Sequence, residues 1–235
     1  MKKGVKIAII LGVIVVVIAL AGGYFFMNDI GQKAKILEEF AQIEELTSSE
    51  NFEMAALNEK TDTIVTTGKY ATVEKAAKNY ASDLFGTAFK IKALMEDERL
   101  VKLLTAENYQ EDGPEFVETK NYISETKKQL EDNRKEMLTY LEESKINSYI
   151  EAETTEEYYV NLYKELVTQD IEISDTERNE LESSINMVVS LLDTAEEVID
   201  FLIANKGKWE VQGGQIAFAT NQLVETYNGF LEKLQ

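Results

Sequence analysis

The sequence predicts a mostly α-helical protein with one short β-hairpin, carried behind an N-terminal transmembrane helix. Three observations support this. The 235 residues include one proline and 12 glycines, too few turn-formers for a sandwich or barrel. Apolar residues recur three and four apart over long stretches, the spacing of a helix face. Near the start, 21 consecutive residues carry no charge.

That run, residues 7–27 (IAIILGVIVVVIALAGGYFFM), can cross a hydrocarbon core of about 30 Å at about 1.5 Å per residue. Lys2, Lys3 and Lys6 precede it and Asp29 follows, so residues 1–6 are expected in the cytoplasm and the rest outside. Tyr24, Phe25 and Phe26 fall at the outer boundary, where aromatic rings favour the headgroup region. The competing reading is a signal peptide cut near Ala21, after the small-x-small site at 19–21, which would release a secreted protein. Apolar character continues through Met27 without a polar break, so a single-pass signal-anchor is the expectation. Gly4, Ala8 and Gly12 repeat every fourth residue, and the small face at Ala8 and Gly12 offers close helix approach and self-association.

Beyond the span, Ile36, Phe40 and Ile43 predict a juxtamembrane helical stalk over 28–49, and 50–235 reads as one extracytoplasmic helical domain. A helix over 50–65 is weakened by threonines at 61, 63, 66 and 67, since β-branched residues lose side-chain freedom in helices. Val73, Ala77, Tyr80, Leu84, Thr87, Ile91 and Leu94 step by four and three, with Thr72 as the expected N-cap. A short helix over 97–105 and a loop follow, and Pro114 suits the first turn of a helix over 114–147. In that helix Phe116, Ile123, Leu130 and Met137 recur every seven residues. Capping boxes at Thr154 with Glu157 and at Ser174 with Glu177 open two more helices. The second of these carries Leu181, Ile185, Val188, Leu192, Ala195, Ile199 and Leu202 on one stripe, with Gly207 at its C-terminal cap.

The hairpin is expected over 208–219. Gly213 and Gly214 suit a two-residue turn that places Trp209, Val211, Ile216 and Phe218 on one face. A lone two-stranded hairpin is marginal in water. Those four side chains are therefore read as the structural anchor of a lid closing one end of a helical bundle, with Thr220 capping a final helix.

Chemistry is limited by subtraction. With no Cys and no His, disulfides, thiol chemistry, imidazole bases and zinc-finger sites are excluded. No phosphate-binding loop, dinucleotide fingerprint or nucleophile elbow occurs. Asp193, Glu196, Glu197 and Asp200 share helix faces four apart and are weak candidates for a hard cation. The preferred reading is a solvated acidic face, because calcium recruits about six to eight oxygens. Tyr140, Tyr149, Tyr158, Tyr159 and Tyr163 could line a groove, though their spacing fits core positions better.

After the span, 21 basic against 43 acidic residues give the remainder a formal charge of −22, which repels nucleic acid and favours cations or basic partners. The expectation is a non-enzymatic, membrane-anchored binding or scaffold protein of a bacterial cell envelope, with an envelope or membrane protein as partner and no cofactor. The alternatives are a receptor-like accessory module coupling through the membrane to a partner protein, and a carboxylate-based hydrolase of envelope polymers.

Overall fold

The computed structural model describes residues 30–47, 53–168 and 175–234. The expected span 7–27, with Ala8 and Gly12, and the expected capping residue Ser174 lie outside them. Among the described residues no helix is long and apolar enough to cross a membrane. The chain is mostly α-helical with one antiparallel hairpin: α1 (Ile30–Thr47), α2 (Met54–Asp62), α3 (Lys69–Met95), α4 (Glu98–Lys102), α5 (Ala106–Glu111), α6 (Val117–Tyr140), α7 (Glu143–Glu151), α8 (Glu157–Thr168), α9 (Asp175–Ala204), β1 (Trp209–Gln212), β2 (Gln215–Phe218) and α10 (Asn221–Glu232). It divides into two compact units. The first takes residues up to Lys92 with Asn133–Glu182, the second Ala93–Asp132 with Ser183–Gln235.

In the first unit the stripe Val73, Ala77, Tyr80, Leu84, Thr87 and Ile91 of α3 is buried. From Ile30 to Thr47 the segment expected as a stalk is helical, and its Ile36, Phe40 and Ile43 are buried. Lys33 bonds Glu165 of α8 at 2.8 Å, and Gln32 accepts the Thr67 amide at 3.1 Å.

Helix α2 stops at Asp62, short of the expected 65, where Thr63 turns to extended backbone and the β-branched run 63–67 continues outside helix or strand. Extended backbone away from a ladder needs other hydrogen-bond partners, and α3 supplies them. The Glu74 carboxylate accepts the Val65 amide at 3.0 and 3.1 Å, the Thr66 amide at 2.9 Å and the Thr66 hydroxyl at 2.6 Å. Lys78, one turn further on, donates to Glu74 at 2.7 Å, to Glu39 of α1 at 2.8 Å and to the Thr63 carbonyl at 2.6 Å. An ammonium has three donors, so this one is saturated. Both Glu74 and Lys78 have 0 % exposure.

Helix α3 begins at Lys69, three residues before the expected Thr72 cap and directly after Gly68, whose φ is +62°. The single helix expected over 114–147 is two, α6 and α7, broken at 141–142. The break coincides with a Tyr80 hydroxyl that donates to the Tyr140 carbonyl at 3.1 Å and satisfies an acceptor freed where α6 ends. The expected Thr154–Glu157 box does not form. Thr154 accepts the Glu156 amide at 3.2 Å in a local turn, and α8 starts only at Glu157.

In the second unit α6 and α9 run antiparallel, with Lys120 bonded to Asp200 at 2.7 Å and Lys127 to Asp193 at 2.5 Å and Glu196 at 2.9 Å. Phe116, Ile123 and Leu130, and Ile185, Val188, Leu192, Ala195, Ile199 and Leu202, are buried. The segment expected as a loop after 105 contains α5. Thr105 caps it by accepting the Asn108 amide, and buried Tyr109 anchors it. Helix α6 starts at Val117 rather than Pro114, directly after Phe116, whose φ of +51° is outside the helical region.

The strands pair Trp209 with Phe218 and Val211 with Ile216, turning at Gly213 and Gly214 with φ of +57° and +76°, the left-handed pair a type I′ turn requires. Trp209, Val211, Ile216 and Phe218 pack on a cluster of Tyr109, Phe116, Val198, Ile199, Leu202 and Tyr227. Trp209 stacks on Phe116 at 5.9 Å and donates from Nε1 to the Leu202 carbonyl at 2.7 Å. Trp209→Ala is expected to cost about 2–4 kcal/mol, a little under the full-burial value because the side chain is only partly buried. Urea denaturation checks it, and Trp209→Phe is expected to lose only about 1 kcal/mol through the missing N–H bond.

Candidate functional site

A cleft of about 350 Å³ opens in the second unit between α4, α5 and the start of α6. That volume lies at the lower end of the range that encloses small ligands, about 300–1,000 Å³. Each wall follows from local sequence. Asp97 caps α4 by accepting the Arg99 amide at 2.8 Å and holds the Arg99 guanidinium through Nε at 3.1 Å and Nη2 at 2.7 Å. This bonding holds the Asp97 carboxyl below the usual carboxylate range. The guanidinium lies 4.2 Å over the Tyr122 ring of α6, a cation–π arrangement. Lys102, one turn on, lines the same wall.

Glu107 and Glu111 form the α5 wall, four residues apart and so on one face. The floor is a polar network. Asn108 donates to the Leu103 carbonyl at 2.9 Å and accepts the Thr119 hydroxyl at 3.2 Å. Asp112 takes the Thr119 amide at 2.7 Å and the Glu118 amide at 3.2 Å, capping α6. Its charge is therefore already engaged. The Tyr122 hydroxyl is different. Its oxygen is buried without a hydrogen-bond partner, and burial pushes the phenol up. Thr126 influences it but does not reach bonding geometry.

The cleft is thus polarised, with cations on α4 and carboxylates on α5 and at Glu118. Among the described residues no ion pair crosses it, since Arg99 pairs within its own wall and Lys102 meets no carboxylate of the opposite one.

The other candidates lie elsewhere. Asp193, Glu196, Glu197 and Asp200 form ion pairs, the first two with Lys127, Asp200 with Lys120 and Glu197 with Lys233. Among the described residues no set of three or more acidic side chains is gathered as a metal site would need. The tyrosines belong to the first unit, where Tyr163 is buried and Tyr140, Tyr149 and Tyr159 are partly buried. Tyr163 donates to the Ile146 carbonyl at 2.7 Å, Tyr149 to Asp83 at 2.5 Å, and Tyr80 meets the Tyr149 ring edge-on at 5.5 Å. Burial pushes all three phenols up, and with the Asp83 charge it pushes Tyr140 up to about 12. They stay protonated near neutrality and act as donors, not bases. Tyr158 is exposed and bonds Tyr70 at 3.2 Å. Ala8 and Gly12 lie outside the described residues.

No protein-family model, curated protein or solved structure matches the chain.

The cleft is not legible in the sequence, whose pattern assigns its residues to a short helix, a loop and the start of the helix expected over 114–147. Two signals were present: Asp97 followed by Arg99, and Thr105 three residues before Asn108, both local capping patterns. Neither reveals that α6 returns Tyr122 to the same opening.

Proposed function

We propose that this is a non-enzymatic, membrane-anchored binding protein of the cell envelope, its acidic helical part held outside the membrane by residues 7–27. The observation that carries the reading is that uncharged 21-residue run, with three lysines before it and a charge of −22 after it.

Fractionation with protease accessibility tests it. The full chain is expected to sediment with membranes, to resist carbonate extraction, and to lose a C-terminal tag when protease is added to intact spheroplasts. Crosslinking in intact cells is expected to retrieve an envelope protein. Recovery in the soluble fraction, or a tag cleaved only after permeabilisation, overturns the anchor.

A further inference from the structure

We infer that the cleft between α4, α5 and α6 is a binding site for a small zwitterion of peptide type. The ligand's carboxylate faces Arg99 and Lys102, and its ammonium faces Glu107 and Glu111. The inference rests on the binding-protein reading for its biological sense, while its chemistry concerns the second unit alone.

Three observations converge. The charges are segregated by wall: the cations come from one turn of α4 and the carboxylates from one face of α5. A uniformly acidic surface would repel a carboxylate, whereas this opening carries a local positive wall in a strongly negative chain. Among the described residues the opposed charges do not pair with each other, as Arg99 pairs with Asp97 within its own wall. That pairing fixes the guanidinium against Tyr122 and leaves one terminal nitrogen, Nη1, outside the Asp97 contact. A molecule carrying both charges satisfies both walls at once. A single anion or cation leaves one wall unmatched and meets the like charge opposite.

The third observation is the Tyr122 hydroxyl, on a side chain lining the cleft, whose oxygen has no partner within the protein. A buried polar atom left without a partner costs stability; the oxygen is closed to solvent, so a shift of the ring toward the cleft on binding would bring it to a ligand's carboxylate. Asn108 and Thr119 are already bonded to each other. Discrimination therefore falls to Tyr122 and the charged walls.

The test is calorimetric titration of the full-length protein in detergent with trialanine. N-acetyl-trialanine serves as the anion-only probe and trialanine amide as the cation-only probe. Trialanine is expected to bind, and each blocked form to bind at least ~10-fold more weakly. Lys102→Met and Glu111→Gln change exposed side chains and should leave the melting temperature in place while weakening trialanine by a similar factor. Tyr122→Phe removes the unpartnered hydroxyl, so it should hold or raise thermal stability yet lose affinity. The inference is overturned if trialanine gives no heat up to millimolar concentration, or if both blocked forms match it. It is equally overturned if the three variants bind like the wild type. Failure here with a membrane-resident, protease-accessible protein leaves the anchor reading intact, and the converse result separates them the other way.

Discussion

Replacing Lys78 with methionine is expected to cost about 3–5 kcal/mol of folding stability, the range for breaking a buried ion pair from one side. The variant leaves the Glu74 carboxylate fully buried with its cation gone, and Glu39 and the Thr63 carbonyl lose the same donor. Urea denaturation followed by circular dichroism measures the loss. The double variant Glu74→Gln with Lys78→Met should recover part of it, since the uncompensated charge is removed. A loss below about 1 kcal/mol for the single variant would show that water reaches the carboxylates.

The same cluster sets an acid response. Burial alone would raise the Glu74 carboxyl, but Lys78, the Thr66 hydroxyl and the amides of Val65 and Thr66 outweigh it and hold the group below its ordinary value of 4.5. A carboxyl depressed in the folded state contributes stability in full above that ordinary value. The contribution is lost as the pH falls below it and through the lower folded value. Melting temperature is therefore expected to drop below about pH 4.5. Glu74→Gln should start less stable and show a shallower acid decline. An unchanged acid slope would move the origin of the response to other carboxylates.

Gly113→Ala is the second large effect. A Cβ there would lie 2.3 Å from the Tyr109 carbonyl oxygen, 2.9 Å from Trp209 and 3.1 Å from Phe116. The nearest obstacle is backbone, so no side-chain rotation relieves it, and the expected loss is about 3 kcal/mol or more, the upper end for overpacking. Gly229→Ala in α10 is the control. Nothing lies within 4 Å of its added carbon, and alanine should stabilise that helix by about 0.5–1 kcal/mol. Equal effects at the two sites would contradict the close packing around Trp209.

Periodicity alone sufficed for the long elements. The α3 stripe as far as Ile91, the α9 stripe and the seven-residue repeat from Phe116 to Met137 are buried, because a helix must turn its apolar face inward wherever it packs; α3 also buries Tyr70, Ala81 and Phe85 outside its stripe, while Leu94 is only partly buried. The hairpin was legible for a local reason too: two glycines between alternating strands permit a turn that other residues resist. Helix ends were less legible. Whether Thr154 caps a helix or turns the chain depends on where the next apolar residue finds a partner.

What the sequence by itself determined is the helical class, the hairpin and its glycine turn, the acidic charge balance and the exclusion of Cys and His chemistry. These follow from composition and from contacts within a few residues along the chain. Tertiary structure alone decided that Ile30–Thr47 packs as a member of the first unit. It also decided that Glu74 and Lys78 hold an extended segment, that lysines occupy the acidic face of α9, and that Arg99, Glu111 and Tyr122 meet at one cleft. The physical reason is common to the last three. A charge or a phenol carries no periodic signature of its partner, which lies on another element and is chosen only when the helices close.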